Sequence, residues 1–478
     1  MKKSLLFFCS LLFSLNIFAQ QFSQYNTGTL YDSFENPSQK SFITDSSKRY
    51  ASNFFFPNFN VNFFFAGDAQ VDLKSRLLLS KYADTALKIN QGKFNHFGGS
   101  VNIYLLMFRV FRSLNGDTEM GFSWQMKGEA RGMVSDETLA LLNGTAAFKD
   151  DFYNNIFNDN YYYQAYHQIS FSYREKITKQ FNFGVKLSAL LGIQYKQLTI
   201  NHSYIAFDKQ VDTASVNLRG TYYSSYIPGD NLVARDFLPT FRSPGAAISI
   251  GATYRTQDNF VIQTNIKDLG FIHWSKLSRG YFYDNTTGFN GISGVAREDS
   301  TYNGLNRVIH NNGVVGSFTT PIDGRAELSV NKSYWIDNNH EFKYSPTLIA
   351  SKELFYPGFI GALVNPFQYQ KYTVTLTTTY NDLKLFNFGA QFMVKTPNFE
   401  FYIGSDRIAQ TASLLAEARS LNQSQIDRNS SFTGGDFFLG FSLKFGPVIE
   451  HPMNASVIPN GEKGFLGRLI GRLFKTNN

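Results

Sequence analysis

Phe181-Asn182-Phe183-Gly184-Val185-Lys186-Leu187-Ser188-Ala189-Leu190-Leu191-Gly192-Ile193-Gln194-Tyr195-Lys196 is the stretch that decides the fold. One face carries Phe181, Phe183, Val185, Leu187, Ala189, Leu191, Ile193 and Tyr195. The other carries Asn182, Gly184, Lys186, Ser188, Leu190, Gly192, Gln194 and Lys196. Alternation with period two marks a strand with two unlike faces. At about 3.3 Å per residue the stretch extends ~50 Å, well beyond the strands of soluble sheets. A tilted strand crosses a bilayer in roughly 9 to 11 residues, so this one crosses and projects.

The scheme recurs on both sides of it. Phe122, Trp124, Met126 and Ala130 oppose Ser123, Gln125, Lys127, Glu129 and Arg131. Ile169, Phe171 and Tyr173 alternate with Ser170, Ser172 and Arg174. Phe386, Phe388, Ala390, Phe392 and Val394 oppose Asn387, Gly389, Gln391 and Lys395, and Phe437 to Phe445 repeats the pattern. The charged face is decisive, because Lys, Glu and Arg at successive inward positions suit a wet lumen and not a dry sandwich core. Candidate strands lie near 50–66, 98–112, 117–131, 161–176, 180–196, 197–208, 243–256 and 259–277. Others lie near 323–335, 341–353, 355–365, 369–381, 384–395, 397–405 and 435–446. Single-chain barrels of bacterial outer membranes usually have an even strand number, so one merger among these candidates gives about 14. The expected fold is an all-β transmembrane antiparallel barrel. Lys127, Glu129, Arg131, Arg174, Lys186 and Lys196 are its expected lumen-lining residues, forming a solvated charge network.

Composition agrees with such a fold. Phe, Tyr and Trp make up 17% of the chain, with 49 Phe and 27 Tyr, yet mean hydropathy is negative. A chain both aromatic and polar needs strands that meet lipid on one side and water on the other. Phe54 to Phe56, Phe63 to Phe65, Tyr161 to Tyr163 and Tyr222 with Tyr223 fit aromatic girdles at the headgroup level, or simply strand propensity. The net charge is +8, or +6 without Lys2 and Lys3. It is spread along the chain apart from a cluster in the C-terminal tail, without the basic patch or recognisable module that nucleic-acid binding usually shows.

Both ends carry further signals. Lys2 and Lys3, the apolar run Ser4 to Phe18, and Ala19 before Gln20 have the grammar of a secretory signal peptide cleaved near Ala19-Gln20. The one cysteine, Cys9, falls inside it, which leaves no disulfide, thiolate metal site or cysteine nucleophile in a processed chain. The chain divides into a leader (1–19), a segment before the first strand (20–49), the barrel (50–446) and a tail (447–478). In that tail Phe465, Leu466, Arg468, Leu469, Arg472 and Leu473 form a basic amphipathic stretch suited to a membrane surface or a partner groove. Glycines at 464, 467 and 471 weaken any helix there by about 1 kcal/mol each.

Three stretches read as long external loops: 132–160, 208–242 and 278–322. Ser135 is placed to cap a short helix over Asp136 to Leu142. A second helix is expected over Ile408 to Gln425, with Leu414, Leu415, Ala418 and Leu421 on one stripe, either as a lid or as rim packing.

No catalytic or metal motif is present. The seven histidines are scattered without paired spacing, no phosphate-binding loop occurs, and Gly291 to Val295 fails the nucleophile-elbow pattern at its last position. His167 lies on the outward face, a poor place for a general base. The expectation is a non-enzyme without a cofactor, whose partners are outer-membrane lipids, a small amphipathic ligand, or other envelope proteins.

Ser33-Phe34-Glu35-Asn36-Pro37-Ser38, ahead of the first strand, resembles the Asn-Pro-Ala element of FadL-like and PorV-like outer-membrane barrels, with Ser38 in place of the usual Ala. The Ala-Gln junction, Phe-rich strands and Asn-rich loops are similar to an uncharacterised barrel family of the Bacteroidota. By this resemblance Glu35, Asn36 and Pro37 would sit inside the lumen as a hatch, with about 14 strands around them; otherwise Asn-Pro is only a turn before the first strand. The same resemblance implies either a channel or binding protein for a small amphipathic molecule, or a scaffold subunit of an export complex.

Overall fold

A computed structural model describes residues 22–42, 48–82, 87, 89, 92–111, 117–227, 233–420, 422–426 and 432–448. The leader and the tail residues Phe465, Leu466, Arg468, Leu469, Arg472 and Leu473 lie outside them.

Fourteen antiparallel staves close into one barrel. The first is interrupted, Lys48–Ser52 and then Asn58–Ala66. Phe94–Phe111, Thr118–Ser135, Asn160–Lys176, Phe181–Asp208, Pro244–Arg255 and Phe260–Trp274 follow. Phe318–Pro321 with Arg325–Lys332 forms the eighth, then Thr347–Glu353, Phe359–Tyr369, Tyr372–Asn381, Phe386–Lys395, Phe399–Ser405 and Thr433–Val448. The first stave pairs with the last, Lys48 opposite Val448 and Val61 opposite Phe437, which removes the free edge. The candidates 180–196 and 197–208 are one continuous strand of 28 residues. That merger turns 15 candidates into 14.

The break in the first stave is held by Asn53. Phe54 and Phe55 take left-handed backbone conformations, which ends the ladder. The Asn53 side chain replaces it, accepting from Met107 N at 2.7 Å and donating to the Phe56 and Tyr104 carbonyls at 2.9 and 3.2 Å. Phe54, Phe55 and Phe56 are exposed, as a girdle requires. Tyr162 and Tyr222 are instead buried in hydrophobic clusters. Exposed rings at stave ends are supplied by Tyr369 and Tyr372 at one rim, and by Phe359, Tyr380 and Phe386 at the other.

Short connections (177–180, 256–259, 370–371, 396–398) gather at one end, together with the longer 333–346 connection, and the longest ones lie at the other, which by the usual rule faces outward. All three stretches expected to be loops contain strands, the first of them the short Phe152–Asn154 against Tyr204 to Ala206. Thr213–Ser224 pairs with the projecting half of Phe181–Asp208, and Arg279–Asn290 pairs with Thr213–Ser224. Helices Gln70–Leu79, Asp136–Leu142 and Arg297–Ile309 belong to the cap over this extension, whose core includes Leu139, Leu141, Leu198, Val216, Leu218, Tyr222, Tyr283 and Val308. Arg76 binds Glu298 at 2.6 Å across it. Burial raises the Glu298 carboxyl, but hydrogen bonds and the charge of Arg76 outweigh it and hold the group below its ordinary value.

The helix expected over Asp136–Leu142 forms with Ser135 as its cap, accepting from Thr138 N at 3.1 Å. Asp159 reinforces it, accepting from Ser135 N at 2.8 Å and Thr138 Oγ1 at 2.6 Å; burial pushes this carboxyl up to about 6. Replacing Ser135 with alanine is expected to cost about 1 kcal/mol, seen as faster amide exchange over residues 136–142 with the barrel unchanged. The other expected helix divides into Ile408–Ser420 and Gln423–Ile426. Of the expected stripe, Leu415 and Ala418 are exposed and Leu414 is half-buried, while Leu421 lies outside the described residues.

Candidate functional site: the occupied lumen

Inward positions follow from register. Lys127 and Arg131 stand opposite Tyr166 and Tyr162, and Ser172 stands opposite Lys186. Lys127, Arg174 and Lys186 are buried on this inner face, with Glu129 and Arg131 partly so. Lys196 does not share it. Gly192 pairs with Tyr166 and Gln194 with Ala165, leaving Ile193 as a bulge. The extra residue inverts the faces beyond it, so Tyr195 turns inward and Lys196 falls on the opposite side.

Residues 22–42 lie inside the ring, touching staves on every side. The Phe22–Gln24 turn and the helix Leu30–Glu35 are buried. Phe22 N and Ser23 Oγ donate to Asp406 at 3.0 and 2.6 Å, and Leu30 N donates to Glu400 at 2.9 Å. Glu35 pairs with Lys267 and accepts from Tyr104 Oη at 2.6 Å. Asn36 folds an Asx turn, its Oδ1 accepting from Ser38 N at 3.1 Å and Ser38 Oγ at 2.8 Å. Pro37 lies over bare wall, since a β-carbon on Gly184 would come within 2.0 Å of the Pro37 oxygen. On Gly251, the cross-strand partner of Gly184, one would come within 2.3 Å of Asn36 Oδ1. Among the described residues, no backbone-to-backbone hydrogen bond joins residues 22–42 to a stave.

Three ion clusters surround this segment, stacked from the short-turn end outward. Glu119 sits between Arg109 at 3.3 Å and Arg174 at 3.4 Å, and the two arginines donate to the Ser33 and Ser38 carbonyls at 2.9 Å. Asp268 comes next, paired with Lys127 and with Lys186, the latter at 3.2 Å. Above it Arg131 binds Asp323 at 3.0 Å and also Glu353, while Arg325 binds Asp323 and lies 3.9 Å from Glu129. An aromatic group closes the mouth. Arg131 stacks on Tyr356 at 4.6 Å, Tyr356 on Tyr162 at 4.8 Å, and Tyr195 meets Trp274 and Phe318 at 5.4 and 5.5 Å.

The network is therefore dry where it was expected to be solvated: the side chains of Lys186 and Asp268 are 0% and 1% exposed. Asp268 reaches it through a second bulge. Pairing slips between Ile266 and Leu269, and Asp268 adopts the left-handed conformation, with φ of 51°. Strict alternation would aim Asp268 at lipid, next to inward Lys267. The only trace in the sequence is two successive charges, Lys267-Asp268, in an otherwise alternating strand. His167 is on the outward face as expected. It is buried beneath the 233–243 loop, its Nε2 donating to the Phe237 carbonyl at 2.7 Å and its Nδ1 accepting from Trp124 at 3.3 Å. Among the described residues no cluster of three or more His, Cys, Asp or Glu could hold a metal.

A closed ring with apolar rings outside and paired charges inside defines a transmembrane β-barrel of the outer-membrane type, with its lumen filled by the chain's own N-terminal segment. The chain belongs to a family of unknown function (DUF5723), whose profile covers residues 49–406. No curated protein matches it. Among solved structures it is similar to the toluene transporter TbuX of Ralstonia pickettii, at 10% identity over 86% of this chain and 93% of that one, TM-score 0.41. A FadL homologue of Pseudomonas aeruginosa gives 11% identity, coverage of 89% and 96%, and TM-score 0.41. Likenesses this distant carry no argument about cargo.

Proposed function

We propose that the protein is a gated channel or binding protein of the bacterial outer membrane for a small or amphipathic molecule, with residues 22–42 as its hatch. The observation that carries this reading is how the hatch is held. Its bonds to the wall run through side chains such as Asp406, Glu400, Lys267, Arg109 and Arg174, and no strand ladder ties it in. Side-chain contacts can be exchanged one by one for water or a ligand, whereas a ladder breaks cooperatively. Polar groups around the hatch and aromatic rings at the mouth offer an amphipathic solute both kinds of surface.

Removal of residues 22–42 tests this. In planar bilayers the intact barrel is expected to stay closed, and the deletion to conduct steadily. A deletion that inserts and folds yet stays closed would count against a hatch. Stable co-purification of another envelope protein, without any conductance, would favour a scaffold role.

A further inference from the structure

We propose that the outer end of the hatch is seated on a calcium site formed by Asp436, Asn62 and Asn387, with Asp406 linking it to the hatch. A cavity of about 20 Å³ lies there, lined by Phe22, Asn62, Thr379, Asn387, Asp406 and Asp436 among others. That is room for one water-sized sphere. Asn62 stands directly across the barrel seam from Asp436.

The lining has oxygens to spare. Asn62 Oδ1 and Asn387 Oδ1 belong to residues 3% and 5% exposed, and neither has a hydrogen-bond partner. Asp406 spends its carboxylate on Phe22 N and Ser23 Oγ, and its own amide donates to Asp436 Oδ1 at 2.7 Å. Arg407 also lines the cavity, but its guanidinium donates to the Phe63 carbonyl at 3.0 Å and stacks on Phe64 at 5.2 Å. It offsets one of the two carboxylate charges.

Two buried carboxylates facing unpartnered amide oxygens form a site short of positive charge, and burial without compensation is costly. Hard cations take such all-oxygen sets. Calcium accepts carboxylate and Asn oxygens in flexible geometry, while magnesium demands a regular octahedron and sheds water reluctantly. The site lies toward the loop-bearing end of the barrel. Its occupancy does not depend on what the barrel carries.

The test is thermal unfolding of the full chain in mild detergent, stripped with EGTA and titrated with calcium chloride at fixed ionic strength. A saturable rise in Tm is expected, absent with sodium alone. Asp436→Asn should weaken the apparent affinity by ~10-fold or more, because charge count tunes such sites. Asn62→Leu should also weaken it, by removing one donor without touching charge. If Asp436→Asn fails to assemble, Asn387→Asp provides the opposite test and should tighten binding ~10-fold. No saturable rise in the unsubstituted protein would overturn the site. So would a rise reproduced by sodium, or one that every assembled variant leaves unchanged.

Discussion

Leucine at position 184 is expected to turn a closed barrel into a leaking one. Gly184 is an inward position near the short-turn end of its stave, with ordinary strand backbone, so a larger residue costs the strand itself nothing and even favours it. The whole cost falls on the hatch. A β-carbon there would lie 2.0 Å from the Pro37 oxygen and 2.3 Å from its carbonyl carbon. Backbone atoms cannot swing aside as a flexible side chain would, and even tolerable overpacking costs about 1–3 kcal/mol. Unseating residues 34–38 relieves the clash. Gly184→Leu should therefore assemble with normal heat-modifiability on gels, conduct in bilayers, and expose residues 22–42 to protease. Gly128→Leu is the control, because its nearest neighbour would be Val101 Cβ at 4.0 Å, and it should stay closed. A Gly184→Leu barrel that stays closed and protease-resistant would sink the idea that the wall is shaped to hold the hatch.

The second large effect is expected at Asp268. Two ammonium groups, Lys127 and Lys186, converge on its carboxylate in a dry part of the lumen. Asp268→Asn keeps the shape but leaves two buried cations without their shared partner. Removing one member of a buried ion pair typically costs about 3–5 kcal/mol. The loss should appear as a lower unfolding temperature, and adding Lys186→Met should recover much of it by deleting one stranded charge. A loss under ~0.5 kcal/mol, the range of ordinary surface substitutions, would mean that water reaches the cluster after all.

The staves were legible in the sequence because lipid on one side and polar groups on the other impose period two over ten or more residues. Their errors came from single residues. Ile193 and Asp268 are bulge positions, and a bulge inverts every later assignment, which is why Lys196 was given the wrong face and Asp268 none. Thr213–Ser224 was hidden by its flanks: Ala214, Val216, Leu218 and Tyr222 do alternate, but the Pro and Gly residues after them gave the whole stretch the look of a loop. The site was less legible than the fold. Lys127, Glu129, Arg131, Arg174 and Lys186 are recognisable as inward cations and acids, but their partners Glu119, Asp268, Asp323, Arg325 and Glu353 are set by register between staves far apart in sequence. The hatch residues were suggested only by a resemblance around Asn36, since nothing in their own composition separates a lumenal segment from a surface turn.

The closure of the first stave on the last also sets an order of events. Phe22 binds Asp406 across 384 positions of chain, and Ser23 meets Thr377 across 354. Contacts of such range are entropically late, because the loop must close before they return anything. The first described residues, Phe22 and Ser23, thus dock on the final third of the chain, and the stave that follows them joins the last strand. A barrel stalled before Thr433–Val448 is in place has no second wall for its first stave and lacks Asp436 beside Asp406. Full seating of residues 22–42 is therefore expected only in a finished ring, which brings Asp436 beside the Asp406 that holds Phe22.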